Sequence, residues 1–186
     1  GNILVTVYSK LYDVQFLPNG GTLNGSADAT VEKEQMFVPT LENYIPVRDG
    51  GYVFDGWYLA DENGNITQQT VTSGEALTGD ITLIAKWKEP LTIEGLLTVG
   101  ATYEQINEDG TKTIQEIPKS EWVKSVIVLL QKVEPNGYTD TINQQFVTLD
   151  YTNSNYYHEG RVVGYATYSF TEIPDLGNKY RIQVLI

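Results

Sequence analysis

The chain has 186 residues, an apolar fraction of 41%, no cysteine and a formal net charge of -12. It is long enough for one large domain or two small ones and apolar enough for a buried core, but it has no means of forming disulfides, thiolate metal sites or a cysteine nucleophile. Residues 1–88 carry 5 basic and 11 acidic side chains and residues 89–186 carry 7 and 13, so each half contributes -6 and the acidity is spread along the chain. Such a surface repels phosphate backbones and anionic lipid, which argues against a nucleic-acid or membrane-surface partner. No apolar stretch approaches the ~18 residues that would span a bilayer. Tyr occurs 13 times beside abundant Val, Ile and Thr, residue types that suit a pleated, half-buried surface, so the expectation is mainly β.

In chain order, Ile3–Tyr8 reads as a strand, either an edge strand or the end of a preceding domain in residues 1–11. Its place directly after Gly1, with no signal peptide visible, suggests a fragment of a longer protein. Tyr12–Leu17 is a second strand, closed by Pro18-Asn19-Gly20-Gly21, where Asn-Gly supplies the positive φ of a tight turn. Ala29–Pro39 is a return strand. Leu41, Tyr44 and Ile45 fall at helical spacing, but Pro39 and Pro46 limit any helix there to a turn or two. Gly51–Tyr58 is an aromatic strand in which Gly56 marks a bulge or a close backbone approach. Ala60–Asn65 is a polar turn and Ile81–Trp87 another strand. Glu89-Pro90 then punctuates the chain, and the domain boundary is placed there.

In residues 89–186, Leu91–Glu104 reads as extended, followed by a hairpin turn at Asn107-Glu108-Asp109-Gly110. Trp122–Lys132 is the most apolar run. Periodicity leaves it open between strand and helix, and its β-branched residues tilt it towards strand. Gln144–Leu149, Arg161–Phe170 and Lys179–Ile186 complete a set of short strands whose spacing suggests a β-sandwich.

Little organised chemistry is visible. His158 is the only histidine, so neither a His metal triad nor a Ser-His-Asp set can be assembled. Asp61-Glu62-Asn63-Gly64-Asn65 has the alternating oxygens of a calcium loop, but Ile66 stands where such a loop needs Gly, and a hairpin turn is the better reading. No catalytic residue, metal or cofactor is expected. One loop, Tyr151–Gly160, sets the adjacent Tyr156 and Tyr157 among Asn and Ser, a composition suited to stacking on a sugar or touching a protein; the competing reading turns both rings into the sandwich.

Three blocks of the first half carry a resemblance: Tyr12–Phe16 with Asn19-Gly20-Gly21, then Gly51–Tyr58, then Asp80–Trp87. Over Tyr12–Lys88 the chain resembles the internalin-type B-repeat, also called the Listeria–Bacteroides repeat. That resemblance implies a compact β-grasp-like module over residues 12–88. Trp57 and Trp87 fit it physically, being large enough to anchor a small core. In the second half, Val126–Lys132, Tyr168–Gly177 and Tyr180–Val184 resemble a collagen-adhesin B-type domain, an Ig-like or prealbumin-like β-sandwich over residues 89–186. Many members of that family form an internal Lys–Asn bond, which needs a buried, neutral Lys and a protonated acid. Val184 stands where the acid is usual and no downstream Asn follows, so no bond is expected from Lys132 or Lys124. Together the resemblances imply a non-catalytic fragment of an extracellular, Gram-positive bacterial surface protein, monomeric within a longer chain. It would act as stalk, spacer or adhesion module, or alternatively bind a host or surface protein or a glycan directly.

Overall fold

The computed structural model describes residues 10–152, 157–158 and 161–186, with the backbone alone at 157, 158 and 161. The expected strand at Ile3–Tyr8 lies outside the described residues. The chain divides into two compact units between Leu91 and Thr92.

The first unit runs β1 (Tyr12–Leu17), β2 (Thr30–Gln35), a 3-10 turn at Leu41–Asn43, β3 (Val53–Ala60), β4 (Ile66–Thr70) and β5 (Ile81–Lys88). These strands form one sheet in the order β2-β1-β5-β3-β4. The central pair β1/β5 is parallel, in the register Val14↔Ile81 to Leu17↔Ile84, and every other pairing is antiparallel. Alternation along β1 sends Val14 and Phe16 to one face, where they are fully buried with Leu83 and Ala85 of β5. The prolines hold the expected helix to a single short turn, as anticipated. Gly56 also does what its position suggested: β3 slips register between Phe54 and Gly56, and Gly56 takes φ +134°, a bulge conformation that suits glycine.

The second unit contains β6 (Leu91–Gly100), β7 (Thr102–Ile106), β8 (Lys112–Glu116), a 3-10 turn at Lys119–Glu121, β9 (Ser125–Val133), β10 (Thr139–Thr148), β11 (Tyr157–His158), β12 (Arg161–Ile173) and β13 (Lys179–Leu185). The long apolar run is therefore a strand. Its three faces-in residues Val126, Val128 and Leu130 are buried at every second position, a period no helix produces. The extended Leu91–Glu104 breaks at Ala101, whose buried side chain and carbonyl, accepting from the Ile117 N–H at 2.8 Å, separate β6 from the β7–β8 hairpin. One three-stranded sheet is ordered β10-β9-β13 and a second β11-β12-β6, an arrangement consistent with a β-sandwich. Val147, Leu149, Ala166, Phe170 and Ile173 join the buried residues of β9.

Candidate functional site

In the first unit the residues of the three sequence blocks converge on one place. Phe16 of β1 stacks on Tyr44 with ring centroids 4.2 Å apart and meets Trp57 edge-on at 5.0 Å; Phe54 continues the chain of rings to Trp57 and Trp87 at 5.4 and 5.7 Å. Offset and edge-to-face contacts of this kind stabilise beyond the area they bury. The Trp57 indole N–H donates to the Tyr44 carbonyl at 2.7 Å, so a ring too large to bury unsatisfied is fully paired. Burial, with the Glu32 carboxylate beside it, pushes the Tyr44 hydroxyl up to about 12.

The blocks meet again where β1 lies against β5. Trp87 shares its indole N–H between the carbonyls of Pro18 and Asn19, at 3.1 and 3.0 Å, and Asn19 donates its side-chain amide to the Ala85 carbonyl at 2.9 Å. The Trp87 ring lies so close over Gly21 that a Cβ there would sit 2.5 Å from a ring carbon and 2.6 Å from the Val47 carbonyl. That accounts for the second glycine of Asn-Gly-Gly. Beside this corner the Arg48 guanidinium lies over the Tyr52 ring, 3.6 Å from its centroid, and has no hydrogen-bond or ion-pair acceptor among the described residues. Asp55, next to the bulge, stands 4.0 Å from Lys86 and 3.9 Å from Lys88. Arg48 and this cationic edge were not singled out in the sequence. The available signal was that Arg48, Lys86 and Lys88 are three of only five basic residues in the acidic first half.

Tyr156 lies outside the described residues. Tyr157 is placed by its backbone alone, opposite Val162 in the β11–β12 ladder, so both rings of the expected pair lie outside what the structure describes. At the start of the same loop, Tyr151 donates its hydroxyl to the Val123 carbonyl at 2.8 Å and lies against Gly164, a packing role. The Asp61 carboxylate accepts from the Asn63 and Asn65 N–H groups at 2.9 and 2.8 Å and from the Asn65 side chain at 3.2 Å, which closes a hairpin turn. Those bonds, with Asn65 foremost, hold its carboxyl below the usual range. No group of three or more metal-ligating side chains occurs among the described residues.

Lys132 pairs with Glu134 at 2.7 Å, and that hydrogen bond raises its pKa, the opposite of what an activated amine nucleophile requires. Lys124 is exposed, and Val184 sits opposite Val128 in the β13–β9 ladder. The buried polar side chain of this sheet is Gln131, bonded to Thr141 at 3.1 Å and to the Arg181 fork at 2.6 and 3.0 Å.

Residues 12–86 match the family model of the Listeria-Bacteroides repeat domain. That family is a non-enzymatic domain found in bacterial surface proteins. No curated protein and no solved structure matches the chain. Among the described residues no helix is long and apolar enough to cross a membrane.

Proposed function

We propose that this chain is a non-catalytic spacer or adhesion segment of an extracellular bacterial surface protein, with the first unit a grasp-like repeat and the second a prealbumin-like sandwich. The observation that carries the reading is where the three sequence blocks go. Trp57, Phe16, Asn19, Gly21 and Trp87 are spent on the core and on joining β1 to β5, leaving none of them for an exposed site. The parallel central pair flanked by antiparallel strands supports the grasp-like description. Only Glu89 and Pro90 separate β5 from β6, a short connection made stiffer by proline's fixed φ, as suits a spacer. The test is deletion of residues 10–186 from the full-length protein on cells. A spacer shortens the reach of its neighbours and leaves their binding or catalysis intact; loss of a specific ligand on deletion overturns the reading. Further copies of the Gly-Trp and Ala-Lys-Trp blocks in the full-length sequence support it, and a single copy beside a hydrolase counts against it.

One observation favours direct ligand binding as a second reading. Arg48 presents a guanidinium held over the Tyr52 ring, its donors without a protein acceptor among the described residues, the form of a carboxylate fork. A panel of glycans and extracellular-matrix proteins decides it. A ligand that survives Arg48→Gln, Tyr156→Ala and Tyr157→Ala owes nothing to either place.

A further inference from the structure

We propose that the β1–β5 seam is a shear clamp, so that the first unit resists being pulled apart by its two ends. The first and last strands of the unit are neighbours and run parallel. Tension entering at Tyr12 and leaving at Lys88 therefore pulls the two strands past each other along their own axes. In that geometry the evenly spaced bonds of a parallel ladder are loaded together, whereas peeling breaks such bonds one after another.

Side chains reinforce the same seam along its length. Near the start, the Asp13 N–H donates to the Asp80 carboxylate at 2.9 Å. In the middle, Thr82 donates to Gln15 at 3.2 Å beside the four registered pairs from Val14↔Ile81 to Leu17↔Ile84. At the far end, Asn19 holds Ala85 at 2.9 Å, and Trp87 holds Pro18 and Asn19 at 3.1 and 3.0 Å. Five side-chain bonds thus cross the junction in addition to the backbone ladder. Each outer strand has a single such bond to its neighbour: the Glu34 N–H of β2 donates to the Asp13 carboxylate at 3.1 Å, and Thr67 of β4 donates to the Leu59 carbonyl at 2.8 Å. β2 carries the charged sequence Thr-Val-Glu-Lys-Glu-Gln, and β4 meets β3 in an interrupted register. The first and third sequence blocks supply the bonds of this seam, and Phe54 of the second meets the Trp87 ring at 5.7 Å, which gives the blocks a mechanical meaning beyond core packing.

The clamp gives the spacer reading its purpose and rests on it in that respect, but its test does not. The chain has no cysteine, so introduced thiols are unique handles for single-molecule pulling on the full chain. One pair, Leu11→Cys with Glu89→Cys, loads the seam in shear; the other, Asn24→Cys with Glu89→Cys, loads both strands from the same end and peels them. Rupture in the first geometry is expected at clearly higher force than in the second. Equal forces, or a lower force in shear, overturn the proposal. Trp87→Phe keeps a ring and loses the N–H donor, and Asn19→Gly keeps the positive φ and loses the amide. Both are expected to lower the shear force and leave the peeling force nearly unchanged, because forced rupture follows the unfolding barrier and not overall stability alone. A shear force unmoved by both variants removes the side-chain reinforcement. Failure of the clamp leaves the deletion test of the spacer reading untouched, and failure of the spacer reading leaves the rupture forces as measured.

Discussion

The first unit builds its core from rings and the second from branched aliphatics, and the two cores place different demands on sequence. In the first, Phe16, Tyr44, Phe54, Trp57 and Trp87 form a continuous chain of ring contacts, each with a specific geometry and, for the tryptophans, a specific acceptor. In the second, Val126, Val128, Leu130, Val147 and Leu149 fill the interior with Phe170 beside them, and Trp122, Tyr151 and Tyr168 act at the margins. Trp122 packs on Tyr151 at 4.5 Å, while Tyr151 and Tyr168 lie over the strand glycines Gly164 and Gly95. A ring core admits few substitutes, so its residues recur as a readable motif. An aliphatic core of the right volume can be filled in many ways, so its sequence carries a period and little identity.

The sharpest way to break this contrast is Trp57→Ala. Loss of the central ring is expected to cost about 3–5 kcal/mol, enough to remove most of a small unit's stability. Denaturant unfolding followed by circular dichroism is expected to show the first unit's transition lost and the second's retained; a simultaneous loss of both means the units do not fold separately. Next come the ring-over-glycine contacts, which test whether both units depend equally on close approach. A Cβ at Gly164 would run into the Tyr151 ring, and one at Gly21 would lie 2.5 Å from Trp87. Each change to alanine is expected to cost about 1–3 kcal/mol in thermal melts, through overpacking. Two neutral results mean the rings shift freely and the glycines are there for turn geometry alone.

Smaller effects appear with pH. Asp61 in the first unit and Asp109 and Asp150 in the second are held below the usual carboxylate range, Asp61 chiefly by Asn65, Asp109 by Thr111 and Asp150 by Thr152. Depressed acids stabilise the fold above their unfolded pKa, and that contribution disappears as pH falls through the folded value. Carboxyl titration by NMR is expected to find all three below ordinary aspartates, with Asp61→Asn flattening acid sensitivity in the first unit only. Tyr44 has the opposite sign: with its pKa raised to about 12, its contribution is complete below pH ~10 and lost as pH climbs through the folded value. Ultraviolet titration is expected to find it among the last tyrosines to ionise. The smallest expected effect is none. Because Lys132 is held as a cation by Glu134, intact mass is expected to match the sequence, and a deficit of one ammonia means a Lys–Asn bond has formed.

The sequence made β1, β3 and β5 legible because each combines alternation with rings or β-branched residues between Gly or Pro signals. It hid β4, whose Ile-Thr-Gln-Gln-Thr has no apolar alternation because an edge strand in this sheet is held by its backbone ladder and needs no buried face. The first half of β10, Thr139 to Asn143, escaped notice for the same reason. The bulge at Gly56 was readable, since an unexplained glycine in a strand has few other uses. The cationic corner at Arg48 was not, because stacking on Tyr52 depends on the turn that brings two residues four apart face to face. Nor did spacing disclose that Asn19 reaches Ala85 across 66 residues.

The Asn-Gly turns also set the rate at which this protein ages. Glycine leaves its own nitrogen free to attack the preceding asparagine's side-chain carbonyl, expelling ammonia through a cyclic imide that opens to aspartate or isoaspartate. Asn24 and Asn63 make no side-chain hydrogen bond among the described residues, and both are exposed; Asn19 has its amide committed to Ala85. On long incubation, peptide mapping is expected to find conversion at Asn24 and Asn63 well before Asn19. Each conversion adds a negative charge to a chain that already carries -12. The surface then grows more acidic with time while the corner that joins first strand to last keeps its original chemistry.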